Sequence, residues 1–234
     1  MSSGIAPAPV LRGDAVADPS LSVRVREILR ERIIRGGFAQ GSRLPEAKLA
    51  AELHVSRIPL RAAIPQLEVD GFVRNLPRRS AVVFEWDGRA VNDLFDVRLA
   101  IELMATAHAA RQVARGASID SVNEAIAASE AAVRRGDPYE IAEASTLIHE
   151  RVVDLSGNEL LASLMRAVSG RITWLFYMTS QRDQAVACQQ HHDISDAIAS
   201  GKEDLARAVA FAHIEAGRTP SLDAIARLGR PDEP

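Results

Sequence analysis

A long region of uniform helical pattern constrains the fold of this chain more than any other feature of its sequence. From Asp87 to Gly217, apolar residues recur at the spacing of one helix face, many are alanines, and no strand pattern interrupts them. Glycines end most of the segments, which places helices at 88–115, 118–135, 138–156, 158–181, about 184–200 and 202–216. Short breaks between amphipathic helices favour antiparallel neighbours, so the pattern predicts an all-α antiparallel helical bundle over 87–217.

The chain before this region has a different pattern. An arginine-rich amphipathic helix begins near Ser20, and two short helices follow, separated by a tight break at His54-Val55. Two short helices joined by a turn of three or four residues have the proportions of a helix-turn-helix. Two apolar runs then flank PRRS, which is typical of a small β-hairpin with a basic tip. The sequence therefore predicts a mainly α protein with folded domains at 20–86 and 87–217.

The two ends of the chain show no comparable pattern. Residues 1–19 are rich in Ala, Pro, Ser and Gly without helical period and predict a disordered arm, and residues 218–234 predict a C-terminal tail. The arm lacks the basic start and the long apolar middle of a secretory signal, and no apolar run is long enough to cross a membrane. We therefore expect a cytoplasmic protein without a membrane partner.

Charge is distributed unevenly along the chain. Residues 20–89 carry 13 Lys and Arg against 8 Asp and Glu, whereas residues 90–234 carry 14 against 21. A basic front and an acidic rear indicate that a polyanionic partner would bind the first domain. The single cysteine excludes an internal disulfide framework and a metal site built from several cysteines.

The second short helix carries a candidate DNA-reading end. Ser56 is a candidate N-cap, and Arg57 and Arg61 lie one turn apart on nearly the same face. The first turns of such a helix can enter the major groove, where arginines contact phosphates and base edges and Ser56 can donate to a phosphate. Arg79, at the hairpin tip, is placed to reach an adjacent groove. A basic face on an ordinary solvated helix would show the same spacing, so the residues alone leave both interpretations open.

About forty contiguous residues, Leu44 to Val83, closely resemble the winged helix-turn-helix of the GntR family of bacterial transcription regulators. They read LPEAKLAAELHVSRIPLRAAIPQLEVDGFVRNLPRRSAVV. The family pattern is an LA-x-x-LGVSR-x-P-V-R-E-A-L-x-x-L-x-x-E-G-L-V run, followed by P-x-R-G and an apolar strand. The resemblance implies a DNA-binding domain in which Arg57 and Arg61 contact DNA and Arg79 lies in the wing.

Four positions depart from that family pattern. His54 stands at the turn glycine, a position that often needs a positive φ, which His tolerates better than most residues. Ala62 replaces the Glu after Arg61 and removes a charge that could orient this arginine, and Ser80 replaces the wing glycine. Pro65 removes a hydrogen bond inside the helix and is expected to kink it, at a cost of about 3 kcal/mol.

Three histidines of the predicted bundle lie on inward helix faces. His149 and His191 each share a face with neighbouring isoleucines, and His213 shares one with Leu205 and Val209. Three imidazoles on three inward faces can meet at one point, and imidazole suits Zn, Ni, Cu or Fe. Their separations along the chain carry no metal signature, so separate, hydrogen-bonded core histidines remain an alternative at this stage.

Three segments of the bundle resemble the ligand-binding domain of the FadR-like subfamily of GntR regulators: VNDLFDVRLAIELMATAHAA, IHERVVDLSGNELL and QHHDISDAIASGKEDLARAVAFAHI. In many members of that subfamily, one Asp and three histidines hold a divalent metal, to which a carboxylate effector binds. The resemblance implies that His149, His191 and His213 bind a divalent metal, with Zn or Ni expected. Ser145 stands at the position of the Asp, and a neutral hydroxyl is a much weaker ligand. We therefore expect weaker metal binding, completed by water or an effector oxygen.

The same resemblance includes an R-x-x-[LI]-E pattern, here Arg98, Ile101 and Glu102. Arg98 on an inward face is a candidate anchor for an anionic ligand, since guanidinium pairs bidentately with carboxylate, and Ser145 is a second candidate ligand-binding position. An ion pair between Arg98 and Glu102 on the next turn is equally compatible with the pattern. The expected ligand is a small carboxylate or a sugar acid.

These features predict a ligand-responsive transcription regulator with no enzymatic activity. A single recognition helix reads only a few base pairs, so we expect a homodimer, acting as a repressor, on a pseudo-palindromic operator of double-stranded DNA. One alternative is a helical metal-binding or ligand-binding protein with impaired DNA binding. Another is a metal-dependent enzyme built on the three histidines, but the sequence has no H-E-x-x-H arrangement that would supply a general base.

Overall fold

The computed structural model describes residues 19–75, 80–181 and 183–228. The chain divides into two compact units, with the boundary between Glu85 and Trp86. The described residues form nine α-helices and one two-stranded sheet, which confirms the predicted mainly α fold class with an all-helical second part. In chain order, the elements are α1 (Pro19–Ile34), α2 (Glu46–Glu52), α3 (Arg57–Val69), β1 (Val73–Arg74), β2 (Val82–Val83), α4 (Gly88–Ala114), α5 (Asp120–Arg135), α6 (Pro138–Leu155), α7 (Glu159–Met178), α8 (Gln184–Ala199) and α9 (Glu203–Leu228).

In the first unit, α2 and α3 form the helix-turn-helix, and α1 packs against α3. Leu29 of α1 and Leu60 and Leu67 of α3 are fully buried in the core of this unit. The turn between α2 and α3 contains His54 at a φ of 53°, the one positive φ that a residue other than glycine adopts in the described ranges. The expected left-handed turn position is confirmed, and a histidine occupies it in place of glycine.

Helix α3 begins where the sequence predicts and continues across both of its prolines. The Ser56 side chain accepts a hydrogen bond from the Ile58 backbone N–H at 3.4 Å, which caps the helix as predicted. Pro59 lies in the first turn, where the N–H that proline lacks would have no partner inside the helix. Pro65 lies in the interior of α3, which runs on to Val69. The effect of Pro65 on the direction of the helix axis stays a prediction.

A short antiparallel hairpin follows α3, and its register pairs Val73 with Val83. This confirms the predicted hairpin in the part of the chain that the structure describes. The hairpin tip at 76–79, which includes Arg79, lies outside the described residues, as do residues 1–18 of the predicted arm and residues 229–234 at the C-terminus.

Six helices, α4 to α9, form the second unit, and α4 packs against α9, α6 and α8. Alanines line these contacts, since Ala105, Ala109 and Ala110 of α4 and Ala206 and Ala210 of α9 are all buried. Small side chains allow neighbouring helices to approach closely. Among the residues that the structure describes, no helix has the length and apolar content needed to cross a membrane.

The last helix is longer than the sequence predicts. The expected helix end at Gly217 is wrong, because α9 continues through this residue to Leu228. Gly217 does not adopt a positive φ, and the ring of Phe95 lies 3.5 Å from the position that a β-carbon would take. The glycine therefore serves helix packing, and further along α9 the burial of Ile225 favours a continuous helix. Much of the predicted tail at 218–234 is helical as a result.

Candidate functional site

Three helices of the second unit bring His149, His191 and His213 to one place. The side chains come from α6, α8 and α9, and one ring nitrogen of each lies within 4.8 Å of the others. The three residues are only 4%, 1% and 8% exposed. The expected convergence of three inward faces is therefore observed, and a group of buried imidazoles from separate helices has the composition of a metal site.

The helix face that carries His213 differs from the predicted one. The pattern assigns Leu205 and Val209 to that face, but Leu205 is 45% exposed and Val209 is half-buried. The buried face of α9 is formed by Ala206 and Ala210 together with His213. One residue corresponds to a rotation of about 100° around a helix, so the larger apolar side chains lie beside the buried face, and alanines form it.

A buried carboxylate contacts the cluster from α4. Oε2 of Glu102 lies 2.8 Å from Nδ1 of His149. A carboxylate in this position fixes the orientation of the imidazole, and a metal would therefore bind His149 through Nε2. Sequence reasoning identified Glu102 only as a partner of Arg98. The inward position of Glu102 was visible in the helical pattern, but its contact with α6 depends on how the helices pack.

Arg98 forms the ion pair that the sequence allows. Its Nε donates to Oε1 of Glu102 at 2.7 Å, and its Nη2 donates to Oε2 at 3.4 Å. The guanidinium carbon lies 5.5 Å from the centre of the Phe95 ring and 5.2 Å from that of Phe176, which gives two cation–π contacts. Arg98 is only 2% exposed, so the ion pair is held in surroundings of low dielectric constant.

The ionisation of Glu102 follows from these neighbours. Burial by itself would raise the pKa of this carboxyl, but the positive charge of Arg98, followed by the charge and hydrogen bond of His149, outweighs burial and lowers the pKa to about 2. Glu102 therefore remains a carboxylate at neutral pH. In that form it can accept hydrogen bonds from Arg98 and from Nδ1–H of His149 at the same time.

Two cavities adjoin the histidine cluster. The larger has a volume of about 210 Å³ and is lined in part by Arg98, Gln190 and His213. The smaller has a volume of about 10 Å³, which is roughly the space of one water molecule or ion, and it is bordered by Glu102, His149 and His213. Because His213 borders both, a molecule bound in the larger cavity would lie next to the cluster.

Ser145 lies on α6 one turn before His149, and it is 2% exposed. Its inward position is as predicted, but the side chain contributes no charge. The group of possible metal ligands in the described ranges consists of imidazoles alone. Three such ligands leave coordination positions open on a bound ion.

The arginines of the reading helix lie at the surface of the first unit. Arg57 and Arg61 are exposed on α3, and Nε of Arg61 lies 3.2 Å from Oε2 of Glu46 on α2. Glu46 thus supplies, from the neighbouring helix, the orienting negative charge that Ala62 does not provide. Sequence reasoning missed Glu46, because the contact joins two helices. Arg79 belongs to the part of the hairpin that the structure does not describe.

Two family models match the chain. Residues 21–83 match the family described as "Bacterial regulatory proteins, gntR family", and residues 93–216, more than half of the chain, match the FCD domain. The chain is a GntR-family regulator with an FCD domain. The FCD match includes all three histidines of the cluster, together with the Arg98–Glu102 pair.

Individual relatives agree with this assignment. The GntR regulator is 29% identical to the Nta operon transcriptional regulator of Aminobacter aminovorans over 180 residues, which cover 76% of this chain and 83% of the relative. It is 33% identical to the gluconate operon transcriptional repressor of Bacillus licheniformis over 138 residues, which cover 57% of this chain and 54% of the relative. A GntR transcriptional regulator from Rhodococcus sp. RHA1 has a similar structure, with a TM-score of 0.73, 25% identity and coverage of 88% of this chain and 99% of that one. The protein is thus a transcription regulator whose FCD domain is an effector-binding domain.

Proposed function

We propose that this GntR regulator is a repressor of the FadR-like subfamily. It binds a pseudo-palindromic operator as a homodimer, and a small carboxylate or sugar acid, bound in the FCD domain with a divalent metal, changes its affinity for DNA. The observation that carries the proposal is a cluster of three buried imidazoles beside a cavity lined by a buried arginine, in a chain whose first unit contains a helix-turn-helix. We expect a cytoplasmic location, because the protein must be in the same compartment as its operator DNA.

The DNA-reading part of the proposal rests on α3. Ser56, Arg57 and Arg61 are exposed at the start of this helix, and a helix that presents its first turns fits the major groove. Arginine can contact a guanine edge or a phosphate, and a serine hydroxyl can donate to a phosphate. We propose that Arg79 contacts the adjacent groove from the wing.

The donor chemistry of the cluster fits Zn or Ni. Neutral imidazole nitrogens suit both ions, and three of them leave room for water or an effector oxygen in the coordination sphere. When bound, the ion supplies a positive charge that a carboxylate can ligate. Ser145 offers a neutral hydroxyl where an aspartate would add a charged ligand, so we expect this chain to hold the ion less tightly.

The effector part of the proposal rests on Arg98 and its cavity. A volume of about 210 Å³ suits a small carboxylate or sugar acid rather than a large ligand. Glu102 accepts hydrogen bonds from Nε and Nη2 of Arg98, so Nη1 is the nitrogen that remains to bind an anion. Oε1 of Gln190 lies 3.1 Å from Nδ1 of His213 and adds a polar group to the wall. An effector with different affinities for DNA-competent and DNA-incompetent dimers shifts the population between them.

The homodimer part of the proposal rests on exposed apolar side chains of the FCD domain. Leu160 and Leu164 lie one turn apart on α7 and are 70% and 47% exposed. Val97 and Met104 are 41% and 49% exposed on α4, and α4 packs against α7. Exposed apolar side chains on helices that pack together favour contact with another protein surface. We propose that they meet their counterparts in a second copy around a twofold axis.

A thermal-shift screen tests the proposed function. Small carboxylates and sugar acids are screened with and without Zn or Ni, and each stabilising compound is then tested for its effect on binding to a DNA fragment selected from a random pool. We expect at least one compound to raise the melting temperature and to lower DNA affinity in a metal-dependent manner. A protein that binds DNA but responds to no anion, or a stabilising anion that leaves DNA affinity unchanged, would contradict the effector-dependent mechanism.

A further inference from the structure

The Arg98–Glu102 ion pair lies between the two cavities of the FCD domain. Arg98 lines the larger cavity, and Glu102 lines the smaller one. Hydrogen bonds of 2.7 and 3.4 Å join the two side chains, and Glu102 lies 2.8 Å from Nδ1 of His149. A continuous path of three polar side chains therefore leads from the wall of the ligand cavity to the histidine cluster.

We propose that Glu102 is a positioning residue that couples the ligand cavity to the metal centre. The inference rests on the proposed function, because it assigns a regulatory role to the residue between the metal and effector sites. Glu102 acts through His149: it accepts the hydrogen bond of Nδ1–H, which holds the imidazole in the tautomer that offers Nε2 to the ion.

Arg98 sets how strongly Glu102 acts on His149. The guanidinium compensates part of the carboxylate charge, which weakens the interaction of the same carboxylate with Nδ1–H. An anion that binds Nη1 of Arg98 competes with Glu102 for the guanidinium. The Glu102 carboxylate is then less compensated by Arg98, and its interaction with Nδ1–H of His149 becomes stronger. Anion binding therefore strengthens metal binding, and by linkage the metal strengthens anion binding to the same extent.

A purely structural ion pair would behave differently when mutated. Arg98 and Glu102 are 2% and 4% exposed, and removing either partner of a buried pair leaves an uncompensated charge and destabilises the fold. On structural grounds alone, the two single variants would therefore have similar effects. The coupling predicts opposite effects of the two variants on metal affinity. Replacing Glu102 removes the carboxylate that supports His149, whereas replacing Arg98 removes the cation that competes with His149 for this carboxylate.

The zinc affinity of the whole 234-residue chain, measured by competition with a chromophoric chelator, tests the coupling without an identified effector. We expect Glu102→Gln to weaken zinc binding by about 10- to 100-fold and to shift the ligand-field absorption bands of the Co²⁺-loaded protein. Arg98→Met is expected to strengthen zinc binding. The double variant Arg98→Met/Glu102→Gln removes both charges together, so it can be measured even if a single variant does not fold. We expect it to bind zinc as weakly as Glu102→Gln does.

Arg111 and Glu203 provide the matched control. They form another bidentate pair, with bonds of 2.8 and 2.6 Å, and line neither cavity, so Glu203→Gln should leave zinc affinity unchanged. Wild-type zinc affinity in Glu102→Gln, or in the double variant, would overturn the coupling, and so would equal losses in the two single variants. A wild-type protein that binds neither zinc nor cobalt would instead overturn the metal centre in the proposed function, and the coupling with it.

Discussion

The two units of this GntR regulator contain the same type of ion pair in opposite environments. On the helix-turn-helix, the side chain of Arg61 is 67% exposed where it meets Glu46. In the FCD domain, the side chain of Arg98 is 2% exposed where it meets Glu102. An exposed pair contributes about 0–1 kcal/mol, whereas removing one partner of a buried pair costs about 3–5 kcal/mol.

The difference indicates what each arginine can do when a new anion arrives. Arg61 can exchange the Glu46 carboxylate for a DNA phosphate at little cost in free energy. The surface pair therefore orients the Arg61 side chain but does not prevent it from binding DNA. Arg98 cannot leave Glu102 unless another anion replaces the lost charge. The buried pair is therefore suited to respond to a specific anion, and the exposed pair is suited to a polyanion that is recognised by many contacts.

The largest expected effect is at the reading helix. Arg57→Ala combined with Arg61→Ala should abolish operator binding, because each lost arginine contact costs about 1–3 kcal/mol, while zinc binding by the FCD domain stays unchanged. Fluorescence anisotropy with a labelled operator, at several salt concentrations, measures the loss. Arg89→Ala is a control, since this side chain is 87% exposed on α4 of the second unit. DNA binding that survives in the double variant, or wild-type binding that ignores salt, would contradict the reading role.

The next effect distinguishes two adjacent histidines. His191 is 1% exposed and belongs to the buried cluster, whereas the side chain of His192 is 47% exposed and lies 2.8 Å from Glu130. After loading with Zn or Ni, metal analysis should find about one ion per chain in the wild type and in His192→Ala, but none in His191→Ala. Metal retained by a folded His191→Ala variant would refute the site.

A smaller effect compares the two prolines of α3. Pro65→Ala restores an N–H that can bond the carbonyl of Arg61, so the free energy of unfolding should rise by up to about 3 kcal/mol. Pro59→Ala is the comparison in the same helix. Because Pro59 lies in the first turn and is buried, its replacement restores no helical hydrogen bond and removes buried carbon atoms, so the free energy of unfolding should not rise. Thermal unfolding measures both variants. A melting temperature of Pro65→Ala equal to that of the wild type would show that Pro65 does not strain the helix.

The smallest effect concerns the missing carboxylate of the cluster. Ser145→Asp adds a charged ligand on the inward face one turn before His149, and it should raise zinc affinity on the order of tenfold. Ser145→Ala removes only the hydroxyl and should leave zinc affinity nearly unchanged. Competition with a chelator measures both. Weaker zinc binding by Ser145→Asp would mean that the side chain at this position does not reach the ion.

The helix-turn-helix could be predicted from the sequence because its signals are local. Ser56 caps α3 through the nearby Ile58 N–H, and His54 adopts its positive φ within a short turn. Such features depend on a few neighbouring residues, so a local sequence motif is enough to predict them. The contact of Glu46 with Arg61 was not predictable in the same way, because it depends on how α2 and α3 are placed in space.

The FCD site could be predicted only in part because its contacts join distant segments. The helical period gave the inward positions of His149 and His191, but it did not connect Glu102 with α6. On α9 the period favoured Leu205, since alanines carry a weak apolar signal although they form the buried face here. Gly217 has the pattern of a helix end, because a sequence does not distinguish a glycine that ends a helix from one that packs against an aromatic ring.

The length of α9 has a practical consequence for work on this regulator. Gly217, Pro220 and Ser221 line the larger cavity, so the part of α9 beyond Ala216 forms one wall of the space in which the effector is proposed to bind. A chain truncated after Ala216 would keep all three histidines and lose that wall.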